Sequence, residues 1–302
     1  MGAIGHLLRS PGRMAAVAGV TFTQLTRMRL FVVPALFAVG FLGLQFLPYQ
    51  ENLGTEFQGI QQLQLIKDVA LGCMRLFSMI FCIAATALLI PKDSEDRILY
   101  TILCKPVPRF DYLAGKALGV LALLGVMLLV MDALMVCLLH VRGAAIAAEL
   151  QSVLAAQGLR PEDMAPYLQQ VDAAGNSWLV QRSLLAMFLG YGVLTTFTLL
   201  ISCLTSGTIV SIILALGAYF VGLFQGQLFH TVQSAAGSAA QWVEHIFSIF
   251  IVPDFSLFSV TDAAASGADL QPALLGGLAL IAGAYMLLHI SVAAWLFAHR
   301  EF

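Results

Sequence analysis

Six long apolar segments dominate this sequence of 302 residues and constrain its fold more than any other feature. A transmembrane helix needs roughly 20 predominantly apolar residues, and each segment is close to that length or longer. Only 11% of the residues are charged, against about 25% in a typical soluble domain. These features predict a single all-α integral membrane domain over 1–302 with about six transmembrane helices. The expected spans are 30–47, 69–90, 117–140, 183–204, 208–225 and 272–298, and the ends of the fifth are the least defined.

The lysines and arginines predict which side of the membrane each connection faces, because cytoplasmic loops carry an excess of both. One side holds Arg9, Arg13, Arg27, Arg29, Lys92, Arg97, Lys105, Arg109, Lys116 and Arg300. The other side holds Lys67, Arg142, Arg160 and Arg182. We therefore expect both termini and the connection at 92–116 to lie in the cytoplasm, with the chain in a plasma (inner) membrane.

Segment 11–29, before the first span, repeats apolar residues at helical spacing and also carries arginines. This pattern predicts an amphipathic helix in the inner membrane interface. A basic tail that only sets the topology is the alternative.

Two connections on the outer side are long enough to hold structure of their own. Segment 141–182 predicts an extracytoplasmic cap of two short helices at 144–157 and 161–171, and Gly158 and Pro161 mark the break between them. Segment 226–271 is semi-polar and predicts a pair of outer helices that dip into the membrane, or else an outer surface loop.

The motifs of common enzyme and metal sites are missing from the sequence. Gly115 and Lys116 are followed by Ala117 rather than Ser or Thr, and no glycine stands at the upstream position that a phosphate-binding loop requires. The six histidines are scattered, and the five cysteines form no close-spaced pair. We therefore expect no catalytic, cofactor or metal site in this chain, and a net charge of −2 gives no indication of nucleic-acid binding.

Two ionisable residues, Arg75 and Asp132, fall inside predicted spans. At 1.5 Å per residue they lie roughly 9 and 12 Å from the outer ends of spans two and three. Opposite charges at similar depth predict an intramembrane ion pair, since pairing lowers the cost of both. The pair would fix the packing of the two spans or form a polar element of a transport route or proton relay.

Glycines four residues apart allow helices to approach closely. This spacing occurs at Gly115 and Gly119 and again at Gly222 and Gly226. It predicts helix packing or dimerisation without locating the interface.

The connection at 92–116 is unusually charged for a turn between two spans, with five charges in residues 92–97. A short helix is expected at about 94–104, with Ser94 as a possible N-cap and prolines at 106 and 108 beyond its end. Its apolar stripe consists of Ile98, Leu99, Ile102 and Leu103. The segment predicts a docking surface for a soluble partner, or a solvated interfacial helix that has none.

The same connection resembles the first cytoplasmic loop of ABC-2 type transporter permeases. The matching elements are Glu95, Asp96 and Arg97, then the apolar helix at 98–103, then the turn from Lys105 to Arg109, and finally Gly115 and Lys116 entering the third span. Residues 253–258 are similar to an element of the subgroup that includes the nitrous-oxide reductase maturation permease. The long outer segment 141–182 departs from the family pattern.

The resemblance implies the ABC-2 exporter (type V ABC) architecture and a transmembrane permease subunit that is not itself an enzyme. Two P-loop ATPase subunits would bind ATP and Mg²⁺, and a second permease copy or a paralogue would complete the transporter within membrane lipid. ATPase docking would fall on Asp93, Glu95, Asp96, Arg97, Ile98, Leu99, Ile102, Leu103, Lys105 and Arg109.

Two other functions remain open on the residues alone. An ion-coupled secondary carrier would need intramembrane carboxylates, for which Asp132 is the clear candidate. A membrane anchor or assembly subunit of an ATPase complex would bind the ATPase without moving a cargo.

Overall fold

The computed structural model describes residues 2–28, 32, 36, 40, 60–95, 108–156, 165–169, 171, 178–205, 207–236, 252–259 and 271–299. The long helices within these ranges are α1 (Gly2–Arg27), α2 (Ile60–Glu95), α3 (Arg109–Ala156), α4 (Trp178–Leu204), α5 (Thr208–Ala236) and α6 (Pro272–His299). A short 3₁₀ helix, Ser256–Phe258, lies between α5 and α6. The regular structure of the described ranges is entirely helical, which confirms the expected all-α class.

Five of these helices, α2 to α6, are long and apolar enough to span a membrane. Each contains the segment predicted as spans two to six, and α5 begins at Thr208 as expected. Helices are favoured here because every backbone polar group must be satisfied inside the bilayer. The first expected span, 30–47, falls outside the described residues except at positions 32, 36 and 40.

Helix α3 corrects the prediction of a separate outer helix at 144–157. It continues without a break for 48 residues, from Arg109 to Ala156, a length of roughly 72 Å at 1.5 Å per residue. This stretch contains no proline and is rich in alanine and leucine, which favour a continuous helix. The third span therefore extends directly into the expected cap, where a short helical stretch is also described at 165–169.

Helix α4 lies at the centre of the packed helices. In its most apolar stretch 72% of the residues are buried, against 28% in α5 and 22% in α6. Its buried side chains join those of α2 and α3 in one hydrophobic core, for example Leu194 with Met74 and Met127. The outer faces of α5 and α6 are left to lipid or to another chain.

Helix α1 lies against the beginning of α3, and the contact explains the first glycine pair. A β-carbon on Gly115 would stand 2.7 Å from Val17 Cβ, and one on Gly119 would stand 2.6 Å from Thr21 Cβ. The two glycines therefore pack α1 onto α3 within one chain. The predicted helix in 11–29 is confirmed as far as Arg27 and begins earlier, at Gly2. Its place in the membrane interface remains a prediction.

The second glycine pair packs α5 against residues 252–259, a part of the expected outer element at 226–271. Gly222 accepts a hydrogen bond at its carbonyl oxygen from the Phe255 backbone N–H, at 3.2 Å. A β-carbon on Gly226 would stand 3.0 Å from Ser256 Oγ. Residues 226–236 continue α5. Most of the rest of the expected outer element, 237–251 and 260–270, lies outside the described residues, so the predicted pair of outer helices stays a prediction.

Candidate functional site at the base of the charged segment

The structure places only part of the predicted docking segment. Helix α2 continues to Glu95, and α3 begins at the exposed Arg109. Ser94 therefore lies in the last turn of α2. The sequence predicted that it would be the N-cap of a new helix, and this prediction was wrong. Residues 96–107 lie outside the described ranges, and with them the other predicted docking positions: Asp96, Arg97, Ile98, Leu99, Ile102, Leu103 and Lys105.

Asp93 is buried rather than displayed for docking, which corrects its predicted role. Its side chain is 0% exposed, and its Oδ2 lies 2.6 Å from Lys116 Nζ. The Tyr112 hydroxyl donates a hydrogen bond to the same oxygen, and Gln24 Nε2 donates to Oδ1 at 3.4 Å. A charge placed so close to charged neighbours in sequence was expected to be solvated, but the fold provides it with three donors.

Lys116 completes this arrangement from the first turns of α3. Its side chain is 5% exposed, its ammonium donates to Gln24 Oε1 at 3.3 Å, and it lies 5.7 Å from the centre of the Tyr112 ring. Buried charges are tolerated when each is paired and hydrogen-bonded. Gln24, Asp93, Tyr112 and Lys116 form such a closed set, which we call the loop-base cluster.

The loop-base cluster joins three helices at one point. Gln24 comes from α1, Asp93 from the end of α2, and Tyr112 and Lys116 from the start of α3. Segment 96–107 leaves α2 three residues after Asp93 and enters α3 just before Tyr112. The ion pair therefore joins α2 to α3 at the base of the charged segment, and Gln24 attaches that base to α1.

A second ion pair reinforces the attachment of α1. Arg13 Nη2 lies 2.8 Å from Asp111 Oδ2, and its Nε donates to the same oxygen at 2.9 Å. The Arg13 side chain is 26% exposed, so solvent weakens this pair more than the loop-base ion pair. The Arg13–Asp111 ion pair and the hydrogen bond between Gln24 and Lys116 together hold α1 to α3 on both sides of the Gly115 contact.

Tyr112 and Gln24 were not recognised as site residues in the sequence. Tyr112 and Lys116 stand four residues apart and so share one face of α3, a signal that was available. Gln24 gave no comparable signal, because a glutamine on the polar face of an amphipathic helix usually contacts only solvent. Its role depends on where α1 lies.

The expected ion pair between Arg75 and Asp132 is not formed, although the structure describes both residues. Asp132 Oδ2 instead accepts a hydrogen bond from Gln181 Nε2 of α4 at 2.7 Å. Arg75 lines a cavity of about 30 Å³ that is bounded by Tyr191, Tyr219 and Phe255 and is large enough for about two waters. Similar depth did not bring the two charges together, because they point to different neighbours around their helix axes.

No protein-family model matches this chain, and no curated protein matches it significantly. Within the described ranges, no group of three His, Cys, Asp or Glu side chains converges to hold a metal ion. The resemblance to ABC-2 permeases therefore depends on the residues of segment 92–116 and of 253–258 alone.

Proposed function

We propose that this chain is the transmembrane permease subunit of an ATP-driven ABC exporter. Separate P-loop ATPase subunits bind ATP and Mg²⁺, and a second permease copy or a paralogue completes the transporter. The chain lies in the plasma (inner) membrane with both termini and segment 96–107 in the cytoplasm. The observation that supports this most is the loop-base cluster, beside the loop residues that resemble the family.

A docking loop can transmit movement only if its ends are held firmly to the helices that must move. In this chain the ion pair between Asp93 and Lys116 joins both ends of segment 96–107. Gln24 links the same point to α1, so a displacement of the segment would reach α1, α2 and α3 together. The exposed residue at the edge of the segment, Arg109, stays available for a partner.

The proposal assigns a different role to each part of the charged connection. Asp93 and Lys116 are positioning residues inside the chain, whereas Glu95, Arg97 and Arg109 contact the ATPase. The ATPase closes on ATP binding, and its movement passes through the segment into the spans. ATP hydrolysis occurs entirely in the partner.

An affinity pull-down from native membranes tests the proposal. The wild-type chain is solubilised in a mild detergent beside a Glu95→Lys, Arg97→Glu double variant. Arg27→Glu is the matched control, because Arg27 is exposed, is predicted on the same side and lies outside the segment. We expect a P-loop ATPase with the wild type and the control and its loss from the double variant. If no ATPase is recovered with any form, the exporter proposal fails.

Stimulation of ATP hydrolysis by a cargo distinguishes an exporter from an anchor subunit that only binds the ATPase. The purified complex is reconstituted in liposomes, and its ATP hydrolysis is measured with and without extracts of the native membrane. Stimulation by a cargo supports the exporter. Hydrolysis that no extract changes supports the anchor role.

A further inference from the structure

A line of small polar side chains crosses the apolar interface between α2 and α4. On each helix these residues recur at a spacing of three or four, so they share one face. They are Ser78, Cys82 and Thr86 of α2, and Thr195, Thr198 and Ser202 of α4. All six residues are 0% to 3% exposed or less, with every hydroxyl-bearing one at 0%. We call this line the polar seam.

Contacts between the two helices show that the two polar faces meet. Cys82 lies within hydrogen-bonding reach of Thr195. Closer to the loop-base cluster, Ser202 Oγ lies 3.5 Å from the Ala87 carbonyl oxygen. The seam occupies eight residues of α2, a length of roughly 12 Å at 1.5 Å per residue. It therefore covers a large part of a hydrocarbon layer that is about 30 Å thick.

Hydrogen bonding along the polar seam is incomplete. The hydroxyl oxygens of Ser78, Thr86 and Thr198 are buried and form no hydrogen bond with any described residue. The Thr195 hydroxyl donates within its own helix, to the Tyr191 carbonyl oxygen at 2.7 Å. Burying an unsatisfied hydroxyl costs free energy, because the group has lost its hydrogen bonds to water and gained none. The hydroxyls therefore contribute few hydrogen bonds that would hold α2 to α4.

One end of the polar seam lies beside a cavity. The Tyr191 hydroxyl donates to the Arg75 carbonyl oxygen at 2.6 Å, and both residues line the cavity of about 30 Å³. Arg75 stands three residues before Ser78 on α2, and Tyr191 stands four residues before Thr195 on α4. Space for about two waters therefore lies within one helical turn of the seam.

We propose that α2 and α4 separate along the polar seam in a second conformation, and that water then enters between them as far as Cys82. Water supplies the hydrogen bonds that three of the hydroxyls lack, so opening costs less free energy here than at the apolar interfaces. The inference goes beyond the proposed export function, since it concerns α2 and α4 alone and needs no ATPase. Recovery of an ATPase and opening of the seam are therefore separate results.

The test is modification of buried thiols in native membranes by a charged methanethiosulfonate, which reaches a thiol through water. One variant keeps Cys82 and has alanine at the other four cysteines. The matched control has alanine at all five cysteines and carries Val193→Cys. Val193 is 0% exposed and stands two residues from Thr195, on the opposite face of α4.

We expect the Cys82 thiol to be modified about fivefold faster or more than the Val193→Cys thiol, since local openings differ in free energy from one interface to another. Rates that agree within about twofold would overturn the proposal. Protection of both thiols from the reagent would overturn it as well.

Replacing one hydroxyl of the polar seam distinguishes opening from adhesion between the helices. Thr198→Val keeps the shape of the side chain and removes an unsatisfied hydroxyl, which favours the closed state over the hydrated one. We expect modification of Cys82 to slow by about fivefold or more. Thr196→Val is the control, because Thr196 Oγ1 lies 3.3 Å from His289 Nδ1 of α6, and it should not slow the reaction. Faster modification in Thr198→Val would show that the hydroxyl holds the helices together and would overturn the proposal.

The same two variants provide a second measurement if the cysteine replacements prevent folding. With all native cysteines present, Thr198→Val should raise the sodium dodecyl sulfate concentration at the midpoint of unfolding. Thr196→Val should lower that midpoint, because it removes the hydrogen-bond partner of His289. A lowered midpoint for Thr198→Val would overturn the proposal, since its hydroxyl would then stabilise the closed state.

Discussion

The substitution Lys116→Met is the most direct test of how the loop-base cluster holds three helices together. Methionine keeps the length and most of the apolar volume of lysine but removes its charge. It leaves Asp93 buried with only the Tyr112 hydroxyl and Gln24 Nε2 as donors. The carboxylate then lacks the counter-ion that stood 2.6 Å away.

The expected cost follows from the burial of the pair. Both side chains are almost fully buried, at 0% and 5% exposure, so solvent screens their interaction little. Removing one partner of a buried ion pair costs about 3–5 kcal/mol. Because two hydrogen-bond donors to Asp93 remain, we expect the lower end, a loss of about 3 kcal/mol in the free energy of unfolding.

The double variant Asp93→Asn, Lys116→Met should be more stable than Lys116→Met alone. Asparagine carries no charge, can still accept from Tyr112, and can donate its amide N–H to Gln24 Oε1, which Lys116 has vacated. We therefore expect the double variant to lie within about 1–2 kcal/mol of the wild type. Replacing both partners thus removes most of the penalty of replacing one.

The assay is reversible unfolding in mixed micelles with increasing sodium dodecyl sulfate, followed by far-ultraviolet circular dichroism. If the free energy of unfolding of Lys116→Met lay within about 0.5 kcal/mol of the wild-type value, the reasoning would be refuted, since burying an unpaired carboxylate should destabilise the fold by more than that. A double variant less stable than Lys116→Met would refute it too. It would mean that the two residues do not interact as an ion pair.

The other contacts of α1 lead to two further predictions. Gly119→Ala should lower the free energy of unfolding by about 1–3 kcal/mol, because its β-carbon would stand 2.6 Å from Thr21 Cβ and 2.8 Å from the Ala18 carbonyl oxygen. At Gly72 a β-carbon would have no atom within 4 Å, so Gly72→Ala should instead raise the free energy of unfolding by about 0.5–1 kcal/mol. If both alanine variants changed stability equally in the same unfolding assay, the close contact between α1 and α3 would be contradicted. Arg13→Ala should lower the free energy of unfolding by at most about 1 kcal/mol, because its ion pair is partly exposed. A loss as large as that of Lys116→Met would show that solvent exposure does not decide which of the two ion pairs contributes more to stability.

The transmembrane segments were predictable because hydropathy and length are properties of the chain itself. The predicted spans 69–90, 183–204 and 272–298 all fall inside observed helices. Helix ends were less predictable. Ser94 was expected to be the N-cap of a separate helix with an apolar stripe, but the helix of span two continues through Pro91 to Glu95. Likewise, the expected break between the third span and the outer helix at 144–157 is absent, since no proline interrupts α3 between Arg109 and Ala156.

The partners of the charged side chains were the least predictable feature. Depth along a helix can be counted in the sequence, and this suggested that Arg75 and Asp132 would meet. Whether they meet also depends on how each helix is rotated about its axis, which only the packing of α2, α3 and α4 sets. In the structure Arg75 faces a cavity beside Tyr191, whereas Asp132 accepts a hydrogen bond from Gln181.

The sequence by itself determined that this protein is a helical membrane protein, and where most of its spans lie. That information is local, because each span must satisfy its own backbone and match the bilayer without reference to its neighbours. The tertiary structure alone decided that Asp93 is buried against Lys116, that α1 packs on Gly115 and Gly119, and that Asp132 is hydrogen-bonded to Gln181. These outcomes join residues from different helices, so they depend on packing that no single segment encodes.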